Sequence, residues 1–132
     1  MATIIREFEV EASPDDAWDA VRDVGAVHRR LCPAVLTDAW CEGDARIVVF
    51  ADGPQVREVI LSIDDVRRRL AYAAVGGRLA HHNSTIEVRA GRDGGSRLVW
   101  TTDLSPDGMQ PAIEALVEAG VADMTASLSG AR

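Results

Sequence analysis

The middle of the sequence consists of six short segments typical of strands, joined by connections too short to hold a helix. They span residues 34–42, 45–51, 56–63, 68–75, 81–90 and 96–104. The connections include Gly43-Asp44, "ADGPQ" and "GRDGG", compositions that favour tight turns. Because strands joined by so few residues can only run antiparallel, this stretch predicts an antiparallel meander.

One further strand and two short helices are predicted before the meander. In "TIIREFEVEA" (3–12) the even positions are mainly apolar, which is typical of a half-buried strand. In "SPDDAWDAVRDV" (13–24), Ser13 is a good helix cap and Pro14 suits the first helical position. Gly25 ends this helix, and "AVHRRL" predicts a second, shorter one.

The last third of the chain changes to a helical period. One apolar stripe comprises Ile113, Leu116, Val117, Val121, Met124 and Leu128, with Gly120 in its middle. Glu114, Glu118, Asp123 and Ser127 lie off that stripe. The pattern predicts one long helix over residues 107–129 that buries a single face.

These elements together predict an α+β fold in which a curled antiparallel sheet of about seven strands surrounds the long C-terminal helix. The two short helices follow the first strand. A sheet that curls around a helix leaves room for a pocket between them. With 132 residues, the chain is expected to form one domain over residues 1–132.

Composition narrows the range of partners. Fourteen basic and 21 acidic residues give a net charge of -7, which disfavours binding to nucleic acid or to anionic membranes. No segment reaches the roughly 20 apolar residues of a membrane span. The N-terminal sequence lacks the features of a signal peptide, which favours a cytoplasmic location. We expect no metal and no cofactor, and either a monomer or a homodimer.

Three stretches of the sequence resemble a known superfamily. They are "VEASPDDAWDAVRDV", "DGPQVREVILSIDDVRRRLAY" and "HHNSTIEV…GGSRLVWTTDLSPD". They are similar to the START-like, or SRPBCC, superfamily, which includes polyketide cyclases, plant pathogenesis-related proteins and lipid-transfer domains. The resemblance covers essentially the whole chain and implies a helix-grip fold. It also implies a small hydrophobic or polyketide-like ligand. Members differ in chemistry, so function has to be argued from the site.

The adjacent histidines 81 and 82 must point to opposite faces of their strand. Glu87 and Arg89 mark the solvent face, which His81 shares by parity, so His82 and Ser84 face the helix. A bulge after the preceding glycine pair would reverse this assignment. Two interpretations of His82 remain open. It is either hydrogen-bonded at the sheet edge, or it binds a ligand or transfers protons.

Tyr72 and Glu58 are two further polar residues on apolar strand faces. The Tyr72 hydroxyl needs a partner when buried, which core packing or a ligand would supply. A carboxylate such as Glu58 is costly on an apolar face unless it is paired. We expect it to pair with an arginine such as Arg46, the alternative being a base that faces the pocket.

The sequence therefore predicts a domain that binds a small, mainly hydrophobic molecule between the sheet and the C-terminal helix. If it is an enzyme of polyketide cyclase/dehydratase type, His82 and Tyr72 are the candidate catalytic residues. The predicted ligand-binding residues are His82, Ser84, Tyr72, Trp100, Trp40, Thr102, Glu58 and Leu116. The alternatives are a non-catalytic carrier or sensor and, least favoured, a co-chaperone-type interaction module.

Overall fold

A computed structural model describes residues 1–130 of the chain. Its helices are α1 (Pro14–Arg22), α2 (Val27–Arg30) and α3 (Gln110–Ser127), with 3-10 turns at Val24–Ala26, Arg92–Gly94 and Asp107–Met109. Its strands are β1 (Ala2–Val10), β2 (Leu36–Glu42), β3 (Ala45–Phe50), β4 (Gln55–Asp64), β5 (Arg69–Val75), β6 (His81–Ala90) and β7 (Ser96–Ser105).

The seven strands form one antiparallel sheet in the order β1-β7-β6-β5-β4-β3-β2. Strands β2 to β7 are therefore a meander, and β1 completes the sheet beside β7. The pairing register shifts in β2 and β4, and such bulges bend a strand and increase its twist. The predicted α+β class, the seven strands and the long C-terminal helix are confirmed.

Helix α1 begins as its sequence predicts and is attached to the turn between β4 and β5. The Ser13 side chain accepts a hydrogen bond from a backbone N–H of the first turn, and Pro14 occupies the helix start. Trp18 is buried, and its indole N–H donates to an Asp65 carboxylate oxygen at 2.9 Å. Arg22 donates to the same oxygen at 2.8 Å. The helix thus packs its apolar face on the sheet, and the Asp65 carboxylate, which accepts hydrogen bonds from both Trp18 and Arg22, fixes its orientation.

The predicted apolar stripe of α3 is not buried evenly along its length. Val117, Met124 and Leu128 are buried, whereas Leu116 is 42% exposed. Leu116 therefore lies at the border of the stripe and not at its centre. No helix among residues 1–130 is long and apolar enough to cross a membrane.

Asp123 corrects the sequence-based assignment of α3, which placed this residue off the buried face. It is only 3% exposed. One of its carboxylate oxygens accepts hydrogen bonds from the backbone N–H groups of Ala34 and Val35, at 2.9 and 2.8 Å. Because these bonds replace those to water, the charge is tolerated inside the protein. The residue fastens the helix to the segment that leads into β2.

Strands β5 and β6 separate at one end of the sheet. Their paired residues end at Tyr72 and Ser84, so Ala74 and His82, which would oppose each other two positions further in this register, are not paired as strand residues. On its other side β5 continues to pair with β4, where Ala74 stands opposite Glu58. The separation leaves space between two neighbouring strands close to the start of α3.

Candidate functional site

A cavity of about 280 Å³ lies between the inner face of the sheet and α3. Most of its wall is apolar. The side chains of Val48, Leu70, Ile86, Trp100, Val117 and Met124 are among those that line it. On β3, β4 and β5 the lining residues follow strand alternation, so that Arg46, Val48 and Phe50, for example, point inward from β3.

The loop between β5 and β6 forms the rim of the cavity together with the first turns of α3. Gly76, Gly77, Arg78 and Leu79 line the cavity, and the first three are exposed. The two glycines adopt positive φ angles of 85° and 72°, which side-chain-bearing residues rarely adopt. Leu116 lines the cavity from the helix side while remaining 42% exposed. These exposed lining residues mark the entrance.

His82 points into the cavity and His81 is exposed, as strand parity predicts. The His82 Nδ1 accepts a hydrogen bond of 3.1 Å from the backbone N–H of Ala74. Its Nε2 lies 3.4 Å from the Ser84 hydroxyl, which in turn is 2.7 Å from the Thr102 hydroxyl. The imidazole therefore lies in the gap between the separated strands. It contacts the Ser84 hydroxyl, which is hydrogen-bonded to the Thr102 hydroxyl.

The Ala74 hydrogen bond determines the tautomer of the neutral His82 ring. A backbone N–H can only donate, so Nδ1 must carry a lone pair and the hydrogen of the neutral ring must be on Nε2. Burial lowers the pKa of His82, and the negative charge of Glu58 opposes part of that shift. The ring is consequently a neutral donor that directs an Nε2–H toward Ser84 and the cavity.

Tyr72 lies beside His82 at the inner wall, with ring centroids 6.2 Å apart. Burial is the main cause that raises the pKa of Tyr72 far above its ordinary value, and the charge of Glu58 adds to the effect. The Arg46 guanidinium, 4.8 Å from the centre of the tyrosine ring, acts in the opposite direction. The hydroxyl therefore stays protonated.

Arg46, which is buried, and Glu58, which is partly buried, form an ion pair in the cavity wall. The Arg46 Nε donates to a Glu58 carboxylate oxygen at 2.8 Å, and Arg46 is only 3% exposed. A second guanidinium nitrogen donates to the Val24 carbonyl at 3.3 Å. The residues stand opposite each other on β3 and β4, which brings about the pairing expected from the sequence. The pair adds polarity to the wall without adding net charge.

The cavity brings together six of the eight residues predicted to contact a ligand. They are His82, Tyr72, Trp100, Thr102, Glu58 and Leu116. Ser84 is not part of the lining: it is 1% exposed and lies behind His82 and Thr102 as a hydrogen-bond partner.

Trp40, like Ser84, was predicted to contact a ligand but does not line the cavity. It is 38% exposed and its indole N–H donates to Glu42 at 3.3 Å. It stands opposite Ile47 in β3, whose neighbours Arg46 and Val48 turn toward the cavity. Because adjacent residues in a strand face opposite sides, Ile47 and Trp40 belong to the outer face.

The contact between Gly120 and Trp100 is a feature of the wall that sequence inspection missed. A Cβ atom at Gly120 would lie 2.8 Å from two carbon atoms of the Trp100 six-membered ring. The absence of a side chain therefore allows the indole to lie directly against α3. A glycine within an apolar helical stripe was the only sequence signal for this contact.

The comparisons with known proteins agree with this architecture. A family model described as polyketide cyclase / dehydrase and lipid transport matches residues 1–131. The chain belongs to this family. No curated protein matches it.

Within residues 1–130, no group of three or more His, Cys, Asp or Glu side chains is arranged to hold a metal ion.

Several solved structures share the fold. An uncharacterized protein from Bacillus thuringiensis has a TM-score of 0.86 at 17% identity, with 96% of this chain and 98% of that chain covered. A protein from Thermobifida fusca has a TM-score of 0.79 at 27% identity, covering 97% and 91%. A Thalictrum norcoclaurine synthase point mutant in complex with a transition-state analogue has a TM-score of 0.68 at 20% identity, covering 94% and 91%.

Proposed function

We propose that this member of the polyketide cyclase / dehydrase and lipid transport family binds a small, mainly apolar molecule between the sheet and α3. The observation that carries the proposal is the cavity of about 280 Å³ with its apolar wall. An apolar cavity of about 150 Å³ in a protein core is sufficient to take up benzene. The space here is therefore suited to a ligand larger than one aromatic ring.

A few polar groups at fixed positions in that wall support ligand binding over simple packing. His82, Thr102 and the Arg46–Glu58 pair all line the cavity. Apolar walls with isolated polar groups are typical of small-molecule sites, where the polar groups set the orientation of the ligand. The rim formed by the loop between β5 and β6 provides the route of entry.

The protonation states support a carrier or sensor better than acid–base catalysis. The lone pair on His82 Nδ1 is occupied by the Ala74 N–H, and burial favours the neutral ring. Tyr72 retains its proton because burial raises its pKa. Neither residue is a ready base. Support for a cyclase- or dehydratase-like enzyme comes from the family description and from the fold shared with norcoclaurine synthase.

Binding is tested with the neutral probe N-phenyl-1-naphthylamine, whose fluorescence rises in apolar surroundings. Ala74 lines the cavity, whereas its neighbour Ala73 faces the other side of the sheet. We expect saturable binding of one probe per chain. Ala74→Phe, which fills the cavity, is expected to weaken binding at least about tenfold, while the matched Ala73→Phe leaves it unchanged.

Thermal melts of both variants show whether they remain folded. The proposal is wrong if the probe fails to bind the native protein saturably. Equal binding by the two variants would also contradict it, because the probe would then occupy another surface.

A further inference from the structure

The polar groups on the Ala74 side of the cavity include two hydrogen-bond donors, on His82 and Trp100, whose nearby acceptors satisfy them only weakly. His82 Nε2 has only the 3.4 Å contact with Ser84, at the long limit of a hydrogen bond. The Trp100 indole nitrogen is buried and interacts with the Tyr72 hydroxyl beside it, but it does not reach hydrogen-bond geometry with any acceptor among residues 1–130. Buried donors without acceptors cost stability, and a ligand atom that accepts a hydrogen bond removes part of that cost.

The donor character of His82 is enforced by the backbone. As long as the Ala74 N–H donates to Nδ1, the neutral ring has its hydrogen on Nε2. The two ring nitrogens of a neutral histidine can ordinarily exchange donor and acceptor roles by a change of tautomer. The Ala74 hydrogen bond prevents that change at His82. A ligand group that meets Nε2 has to be an acceptor.

The charge balance of the wall further restricts the ligand. Arg46 and Glu58 neutralise each other at 2.8 Å, and His82 and Tyr72 are held in their neutral forms. An ionised ligand group in this apolar space would lack a counter-charge and would lose its hydration. The cavity therefore selects against carboxylates and ammonium groups.

We propose that the ligand is a neutral, mainly apolar compound with a carbonyl-type oxygen that accepts a hydrogen bond from His82 Nε2. The inference rests on the proposed binding function and specifies the class of molecule that the cavity takes. Ketones, esters and lactones with an apolar body satisfy this description, whereas hydrocarbons, free acids and amines do not.

Three probes of matched shape test the inference on the whole protein: 9-fluorenone, fluorene and fluorene-9-carboxylate. Calorimetry is used to measure their affinities for the wild type, for His82→Phe and for His81→Phe, the matched change at the exposed neighbour. We expect His82→Phe to weaken fluorenone binding about five- to tenfold more than fluorene binding, the effect of one hydrogen bond. His81→Phe leaves both unchanged, and the carboxylate binds more weakly than fluorene.

Two measurements on the wild type keep the test decisive if His82→Phe fails to fold. The infrared carbonyl stretch of bound fluorenone is expected at a lower frequency than in an alkane. The 15N signal of His82 Nε2 is expected to shift with fluorenone and not with fluorene. If fluorene and fluorenone bind but the carbonyl stretch stays at its alkane position, or the Nε2 signal does not respond to fluorenone, the carbonyl inference is wrong and the binding function stands. If no probe binds, the binding function fails, and this inference fails with it.

Discussion

The backbone N–H of Ala74 donates to Nδ1 of His82 at the point where β5 and β6 stop pairing. The imidazole thus satisfies a strand N–H that the neighbouring backbone no longer reaches. A protonated ring would carry a hydrogen on Nδ1 and would lose this bond. The stability of the sheet at the cavity entrance is therefore linked to the charge state of one side chain.

This linkage predicts a pH dependence of stability. Because burial lowers the pKa of His82 in the folded state, the unfolded chain binds the proton first as the pH falls. The neutral ring makes its full contribution to the free energy of unfolding above the ordinary histidine pKa of about 6.5. That contribution is lost as the pH falls below this value toward the lowered pKa of the folded state. Urea melts between about pH 7.5 and pH 5 measure the loss, which has a limiting slope of about 1.4 kcal/mol per pH unit.

His82→Gln provides the control for this prediction, because an amide can accept the Ala74 hydrogen bond and does not titrate. We expect its free energy of unfolding to fall less steeply than that of the wild type over this range. The Glu58 and His81 charges act on the same ring and are unchanged in the variant. Identical slopes for the two proteins would contradict the linkage.

The contact between Gly120 and Trp100 predicts a substitution whose effect changes sign with its background. Gly120→Ala would place a Cβ 2.8 Å from the indole ring and is expected to cost about 1–3 kcal/mol through overpacking. Trp100→Phe removes the atoms involved in the clash. In that background Gly120→Ala is expected to stabilise the helix by up to about 1 kcal/mol. A double-mutant cycle by urea denaturation measures the coupling, and additive effects would show that the contact is not constraining.

The buried carboxylate of Asp123 predicts a large loss for a single substitution. Asp123→Ala leaves the N–H groups of Ala34 and Val35 without this acceptor and is expected to cost about 2–4 kcal/mol. Glu114 on the same helix forms a partly exposed ion pair with Arg6 at 3.1 Å. Glu114→Ala should therefore cost less than about 1 kcal/mol. Equal losses in denaturant melts would mean that Asp123 does not fasten the helix.

Met124 and Leu116 belong to the same sequence stripe but are predicted to respond differently to truncation. Met124 is 3% exposed, so Met124→Ala should leave a cavity and cost about 2–5 kcal/mol. Leu116 lies at the entrance and loses little burial, so Leu116→Ala should cost about 1 kcal/mol or less. A loss at Leu116 as large as that at Met124 would contradict the position of the entrance.

Strand parity and helical period predicted most of the fold because both report local geometry. The seven strands lie within a few residues of their expected bounds, and the inward direction of His82 follows from the solvent character of Glu87 and Arg89. These predictions depend only on which side chains share a face. The short, turn-forming connections then predicted that consecutive strands are neighbours in the sheet, as β2 to β7 are.

The features that sequence inspection missed depend on how separate elements meet in the folded chain. Asp123 is tolerated in the interior because backbone N–H groups some ninety residues earlier reach it. Trp40 is excluded from the cavity by the register of β2 on β3. The separation of β5 from β6 depends on where the backbone pairing between the two strands ends, which apolar periodicity does not report. None of these relationships produces a periodic pattern.

The position of β1 beside β7 has a consequence for the order in which the chain acquires its structure. Ala2 pairs with Leu104 and Val10 with Ser96, so β1 is synthesised before the other six strands of the sheet, and its partner β7 follows roughly ninety residues later. At about 5–20 residues per second, synthesis leaves this strand unpaired for several seconds. Its apolar positions, including Ile4, remain accessible to other chains during that interval. Of the two edge strands, β1 therefore waits longest for its partner during synthesis, because β2 pairs with the strand that follows it directly.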